Sequence, residues 1–504
     1  MPIAASIRKN FYKDSVALMR IAQLAGAREG IARVSLLMGT PANQDILAQA
    51  GLLAAELAAA APADLMILVE GEQAALAPSL AEIDAQLSGR DTAAGGEARE
   101  IAPRSIAMGL ERLPGATLAL ISVPGPYAAA EALKALKRGL HVFLFSDNVP
   151  LGREQALKRL AGKKGLLVMG PDCGTAIIGG VPLGFANAVR RGSIGLVGAS
   201  GTGMQEVSVR IHELGEGVSH ALGTGSRDAG EEVGGATLLA GLELLARDAD
   251  TRVIVIVSKP PAPSVAERAL AAVRACGKPV VVLFLGSNPA GGGNIHPVAT
   301  LEAAAATAVA VVRGETPRSG AEPAPVAPMQ GFMRGLYSGG TYCTEVQLVL
   351  KDAGVATWSN APVDEEYALP RGAPSREHTA IDLGADEFTV GRPHPMIDVS
   401  ARAARLLEEA SDPSVAVIVL DVVLGFGAHP DPAGELAPAV REARAIAAAH
   451  KRHLIVLGFV CGTDGDPQGL AGQVATLRAA GMLLAPTSTA AARLAARAVA
   501  GRAA

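Results

Sequence analysis

The 504 residues are 49% apolar and 3% aromatic, and their formal net charge is −4. That is ample material for several cores and too apolar for a disordered chain. The charge is spread without a basic run or an aromatic-interleaved patch, which argues against a nucleic-acid partner.

The opening stretch MPIAASIRKNFYKD has no apolar h-region, so no signal peptide is expected. Apolar runs such as Val253–Val257 are of strand length, so no membrane span is expected either and a cytoplasmic location is the default. Cys173, Cys276, Cys343 and Cys461 lie far apart without C-x-x-C spacing, which predicts reduced thiols, no disulfide framework and no metal site.

From Arg33 on, short β-branched runs alternate with Ala-rich amphipathic runs. Strands are expected at Val34–Met38, Leu65–Val69, Leu118–Ser122, Val142–Phe145 and Leu166–Met169, with helices such as Tyr127–Lys137 and Arg153–Leu160 between them. The alternation predicts a parallel, doubly wound sheet, whose ligands bind beyond the carboxyl ends of the strands. Those ends carry Gly39-Thr40, Val123-Pro124-Gly125, Ser146-Asp147-Asn148 and Pro171-Asp172-Cys173. Gly39, Thr40, Pro124, Ser146, Asp172 and Cys173 are therefore the candidate cofactor-binding residues, although no G-x-G-x-x-G follows the first strand. Ser88–Glu100 reads as an exposed insertion.

A second unit begins near Arg191. Its strand Ile194–Val197 feeds the turn Gly198–Gly203, and Met204, Val207, Ile211 and Leu214 then recur at helical spacing. Backbone N–H groups converge at such a turn, and the helix start adds roughly half a positive charge. This suits a phosphate or another anion, so Ser200, Gly201, Thr202 and Gly203 are candidate anion ligands. The plainer reading is that Ser200 or Thr202 caps its own helix. Lys259, after the strand Arg252–Ser258, either reaches the anion or stays solvated, and Arg227 with Asp228 is as readily a local ion pair as a ligand.

Residues 315–329 are rich in Pro and Ala and read as a linker. The third unit opens with Ser338-Gly339-Gly340-Thr341, again a small-residue turn before a helix. It continues with Ile381-Asp382-Leu383-Gly384, the loop Gly391–Asp398, the strand Val415–Asp421 and a further glycine turn, Gly425–His429. Gly425, Gly427 and Ala428 are the candidate second half of the anion site, and the two glycine-turned units read as an imperfect repeat. His429 suits proton donation near neutral pH or a capping role. Arg392 and His394 flank prolines, where Arg392 suits a bidentate grip on a carboxylate and the alternative is a rigid structural loop.

These residues resemble a known family. The GPDCGT at Gly170–Thr175, the SIGLVGASGTG at Ser193–Gly203 and the loop Gly223–Gly235 resemble the alpha subunit of succinyl-CoA synthetase. IDLGADE at Ile381–Glu387 and GFGAHPD at Gly425–Asp431 resemble the last domain of its beta subunit. FSDNVP, LLVMGPDCGT, TVGRPHPMID and LDVVLGFGA are closer still to the FdrA proteins of that superfamily. The resemblance implies an α/β chain of three units. A Rossmann-like CoA-binding-type domain spans 1–190, and two flavodoxin-like, succinyl-CoA synthetase-type ligase domains span 191–314 and 330–504.

It also implies a phosphorylated histidine held between two helix starts, but this chain reads Gly286-Ser287-Asn288-Pro289-Ala290-Gly291 where the family has its G-H-A-G, and Ser258-Lys259-Pro260-Pro261 where it has the partner glutamate. What FdrA proteins are associated with implies one subunit of a heteromeric carbamoyltransferase in purine or allantoin breakdown. Its ligand would be carbamoyl phosphate or phosphate, and its acceptor oxamate or a related amide or ureido acid. The alternatives are an NDP-forming acyl-CoA synthetase served by a separate ATP-grasp chain, with CoA as cofactor, and a non-catalytic CoA- or anion-binding scaffold.

Overall fold

A computed structural model describes all residues except 12, 14, 41–42, 45–46, 49–51, 89–102, 318–325, 390–392 and 501–504. Most of the expected insertion and the middle of the expected linker thus lie outside the described residues, as does Arg392. Among the described residues no helix is long and apolar enough to cross a membrane.

The described residues build four sheets. The first contains β1 (Ile3–Arg8), β2 (Ile31–Met38) and β3 (Leu65–Gly71) in the order β1-β3-β2. Both pairings are antiparallel. Val34–Met38 and Leu65–Val69 therefore form strands as expected but not in a parallel, doubly wound sheet. Hydrophobic alternation fixes which face is buried, not the direction of the neighbour. Both faces of this sheet are covered. The helices Ser15–Gly26 and Gln73–Leu87 cover one through Leu18, Ile67 and Ile83. Leu47, Leu52, Leu57 and Ala60 cover the other, packed with Met66 and Leu68.

The second sheet is parallel: β4 (Leu118–Ile121), β5 (His141–Leu144) and β6 (Val168–Met169). Residues 1–190 thus hold two separate sheets rather than one, and their last two strands, Thr175–Ile178 and Val181–Gly184, join a third.

The third sheet contains β7 (Thr175–Ile178), β8 (Val181–Gly184), β9 (Arg191–Gly198), β10 (Val218–Gly223), β11 (Val253–Ser258), β12 (Val280–Phe284) and β13 (Ile295–Pro297), in the order β13-β12-β11-β9-β10-β7-β8. The fourth contains β14 (Phe332–Tyr337), β15 (Trp358–Ser359), β16 (Thr379–Asp382), β17 (Val415–Val423), β18 (Ile455–Cys461) and β19 (Leu483–Leu484), in the order β15-β16-β14-β17-β18-β19 and parallel throughout. Central strands such as β11 and β17 are buried along their whole length and are dominated by Val and Ile, as parallel strands covered on both faces tend to be.

One apolar core joins the third and fourth sheets. Met204 and Val207 of the helix Gly201–Glu213 pack there with Tyr342 and Val346 of the helix Gly340–Asp352. Leu301 and Ala308 of the helix Leu301–Arg313, and Ala491 and Leu494 of the helix Ser488–Val499, complete it. Four helices are therefore sandwiched between the fourth sheet, which is parallel, and the third, which is parallel except where β7 pairs antiparallel with β10 and β8, and two of these helices begin just beyond the central strands β9 and β14. In both sheets the chain continues to one side of that central strand and later returns on the other, the place where α/β sheets open a ligand crevice.

Candidate functional site

The two helix starts meet. Ser200 occupies the N-cap position of the Gly201 helix, yet its hydroxyl caps nothing. Instead Ser200 Oγ lies 2.6 Å from Thr341 Oγ1, two residues into the Gly340 helix. The exchange is reciprocal: a Cβ at Gly339, the N-cap of the Gly340 helix, would lie 2.5 Å from Thr202 Cγ2. A Cβ at Gly203 would lie 2.2 Å from Ser200 Oγ and 2.9 Å from Thr341 Cγ2. Each helix thus presents a threonine to the other's N-cap residue, and Gly339 and Gly203 stand where the Thr202, Ser200 and Thr341 side chains leave no room for a Cβ.

Ser200 accepts no bond from its own helix, and Gly339 has no side chain with which to do so. Among the described residues the N–H groups of Gly201, Thr202 and Gly203, and of Gly340, Thr341 and Tyr342, have no hydrogen-bond partner. Six donors and two helix dipoles therefore face one junction.

The Gly340 turn is fixed by Asp421, fully buried in β17, which accepts the Ser338 N–H at 2.8 Å and the Ser338 hydroxyl. Asp421 itself is held by Arg402. Beside this turn stand Lys259 and Asp382. A Cβ at Gly340 would lie 2.7 Å from Asp382 Oδ2 and 2.8 Å from Lys259 Nζ. Lys259 is exposed and pairs with no described residue. Asp382 is buried at the end of β16, and burial raises its pKa to about 6 against the pull of Lys259.

His394 joins this group: a Cβ at Gly384 would lie 2.9 Å from His394 Nε2 and 3.2 Å from Asp382 Oδ1. Burial, then the Arg402 charge, pushes His394 down to about 4, so the ring is neutral. Its Nδ1 accepts the Met396 N–H at 3.2 Å, which leaves the ring proton on Nε2.

The remaining candidates fall elsewhere. The turn expected to complete the anion site, Gly425–Ala428, faces a different surface. Phe426 N–H donates to the Ala186 carbonyl at 2.8 Å, a Cβ at Gly425 would lie 2.6 Å from that same oxygen, and one at Gly427 would lie 3.0 Å from the Phe185 ring. Both glycines have positive φ, +109° and +78°. They clasp the Phe185–Asn187 segment, and the helix that follows opens only at Pro432, capped by Asp431. His429 is buried and local: its N–H donates to the Met396 carbonyl, and its Nδ1 accepts from Asp431 N–H at 3.0 Å.

Pro124, Ser146 and Asp172 do converge, at the carboxyl ends of β4, β5 and β6. Ser146 Oγ donates to the Val123 carbonyl at 2.6 Å, and Asp172 N–H to the Ser146 carbonyl at 3.0 Å. Cys173 is buried and its thiol is pushed up to about 12, so it is inert. Gly39 and Thr40 lie at the end of β2, in the separate antiparallel sheet. Asp228 is no ligand either, since it caps the helix Ala236–Arg247 through Thr237 and Leu238 N–H and pairs with Lys158.

A signal for the true partner was present in the sequence. Gly201-Thr202-Gly203-Met204-Gln205-Glu206-Val207 and Gly340-Thr341-Tyr342-Cys343-Thr344-Glu345-Val346 share the pattern G-T-x-x-x-E-V. The glutamates are structurally equivalent: Glu206 accepts the Ser488 N–H at 3.0 Å and Glu345 the Leu301 N–H at 2.9 Å, each holding the first residue of a helix from the opposite unit.

Comparisons with known proteins agree with this two-fold plan. Residues 189–286 match a model described as a CoA binding domain, 336–498 one described as CoA-ligase, and 1–103 one described as AllF, heavy metal-associated domain. The YahF protein of Escherichia coli (strain K12) is 45% identical over 97% of both chains. The chain belongs to the FdrA family. This FdrA member is also 30% identical to the alpha subunit of the ADP-forming succinate–CoA ligase of Aquifex aeolicus (strain VF5), over 29% of this chain and 48% of that subunit. Among solved structures it is similar to the apo dinucleotide-forming acetyl-coenzyme A synthetase 1 of Ca. Korarchaeum cryptofilum, with 17% identity, coverage of 81% and 88%, and a TM-score of 0.34, too low to carry an argument.

The CoA-binding match, residues 189–286, falls almost wholly on the second unit. The loops expected to take the cofactor suit its diphosphate poorly. Asp147 and Asp172 line them, and burial raises both, with the charge of Asp386 adding to Asp147 and the charges of Asp147 and then Asp386 adding to Asp172. Of the basic groups nearby, Lys158 and Arg227 are committed to Glu154 and Asp228, and Lys259, which pulls on Asp172, has no ion-pair partner among the described residues.

Proposed function

We propose that the paired helix starts hold the phosphoryl end of carbamoyl phosphate, and that the chain is the FdrA-type subunit of a heteromeric carbamoyltransferase acting on oxamate or a related amide or ureido acid. The observation that carries this reading is the junction of Ser200–Gly203 with Ser338–Thr341, with six unpaired N–H donors and Lys259 beside it. Preorganised donors of this kind stabilise charge on a leaving group without rearranging.

In the reaction the acceptor nitrogen attacks the carbamoyl carbon, the carbon–oxygen bond to phosphate breaks, and its electron pair leaves with the phosphate. The helix starts and Lys259 take up that charge. The nitrogen's proton passes to Asp382, whose pKa of about 6 suits a base near neutral pH. Catalysis then rests mainly on positioning two substrates. Partner chains are part of the proposal, as is a role in nitrogen catabolism.

The CoA-binding and CoA-ligase matches favour a second reading, an acyl-CoA synthetase served by a separate nucleotide-binding chain. The test is an assay of carbamoyl phosphate formation from a ureido acid and phosphate, with and without co-encoded partner chains. Turnover that falls at least tenfold in Lys259→Met supports the carbamoyltransferase. Acyl-CoA formation from ATP, with no carbamoyl phosphate under any condition, sinks it.

A further inference from the structure

The model matching residues 1–103 carries the description of a heavy metal-associated domain. Heavy and borderline metals are held by thiolates, thioethers and imidazoles. Residues 1–103 contain neither a cysteine nor a histidine. Met38 and Met66 are buried in the apolar cores on opposite faces of the first sheet, and Met19 packs on the core shared by the third and fourth sheets. Among the described residues no cluster of His, Cys, Asp or Glu can hold a metal. The donor set does not fit the description.

We infer that the N-terminal module of this chain carries no heavy-metal ion, and that the buried carboxylate of Asp64 cross-links its loops instead. Asp64 is 1% exposed. Its Oδ2 accepts from Lys9 Nζ and Ala61 N–H, both at 2.8 Å, and its Oδ1 accepts from Asn10 N–H at 2.9 Å. Its carbonyl accepts the Gly39 N–H at 2.7 Å. One residue thus ties together the segment after β1, the end of β2 and the approach to β3. Asn10 is held there in the left-handed region, φ +49°. Each of these bonds to a charged acceptor is of the stronger, charge-assisted kind, so the carboxylate organises the loops as a coordinated ion would.

The experiment uses the full chain. Zn(II) and Cu(I) are titrated in competition with a chromogenic chelator, and hydrogen exchange of peptides covering residues 3–11 is followed with and without metal. Exchange is also measured in Lys9→Met, whose side chain is largely exposed and whose loss leaves the cores intact, and in Asp64→Asn. The expected result is no stoichiometric ion, or an ion whose binding leaves exchange at 3–11 unchanged, together with exchange several-fold faster there in both variants. One equivalent of metal that slows exchange at 3–11 overturns the inference, as does exchange in Lys9→Met identical to wild type.

Discussion

Ser200 Oγ and Thr341 Oγ1 lie 2.6 Å apart, although 141 residues separate them in the chain. Each stands where a helix begins, and each would ordinarily serve its own helix. Here the pair locks two domains at the point where both expose unpaired N–H groups. A buried hydroxyl pair of this kind contributes about 0.5–1.5 kcal/mol. In a double-mutant cycle of Ser200→Ala and Thr341→Val, denaturant unfolding is expected to show a coupling of that size. Strictly additive losses would mean that the contact is incidental.

Gly339 tests the closeness of the approach. Its φ of −159° is ordinary extended backbone, so alanine brings no conformational strain, only a methyl 2.5 Å from Thr202 Cγ2. Gly339→Ala is expected to cost about 1–3 kcal/mol, as overpacking does. Thr202→Ala in the same chain removes the offending methyl and hydroxyl, and should recover much of that loss. Recovery is read from midpoints of chemical unfolding.

Asp382 makes a pH prediction with a definite sign. Its carboxyl is raised from 3.8 to about 6 by burial, so the folded state favours the protonated form. Its stabilising contribution is complete below pH 3.8, declines through the interval, and is gone above about pH 6. The span is at most about 3 kcal/mol. Asp382→Asn should flatten this part of the stability–pH profile, which unfolding titrations from pH 4 to 7 would reveal. An unchanged slope in the variant would assign the dependence to another group.

The equivalent glutamates carry a fourth prediction. Glu345 receives Leu301 N–H, Ser488 Oγ and Thr489 Oγ1, and so pins helices of both units at once. Glu345→Ala strands these donors in the core, at a cost of about 1–3 kcal/mol. The second and third units share one core, so calorimetry should show them melting together at a lower temperature. Loss of one unit while the other keeps its transition would contradict the shared-core view.

Much of this architecture can be read along the chain, because local pattern determines local structure. Leu118–Ser122, Val142–Phe145 and Val415–Asp421 all fall on strands β4, β5 and β17, and the periodic run from Met204 on falls on the Gly201 helix. Partnership is another matter. The direction of β2 and β3 depends on what lies beside them, and nothing in Val34–Met38 or Leu65–Val69 encodes it. The same holds for the helix starts: Gly425–Ala428 and Ser338–Thr341 are both glycine turns after a buried strand. Only the spacing of Thr341 and Glu345, matching Thr202 and Glu206, separates the turn that faces Ser200 from the one that clasps Phe185. Asp421 shows the complementary limit, since a lone carboxylate in an apolar strand signals a buried task without saying which N–H it holds.

The most direct test of the anion site is a calorimetric titration of carbamoyl phosphate into the wild type and Gly340→Ala. The new methyl would first meet the side-chain ends of Asp382 and Lys259, which can shift aside, so the helix should still fold, as its melting temperature would show, while the notch between them is filled. Saturable binding by the wild type, weakened at least tenfold in the variant, is the predicted result. Equal binding by both proteins, or none by the wild type with its partner chains present, would contradict the account.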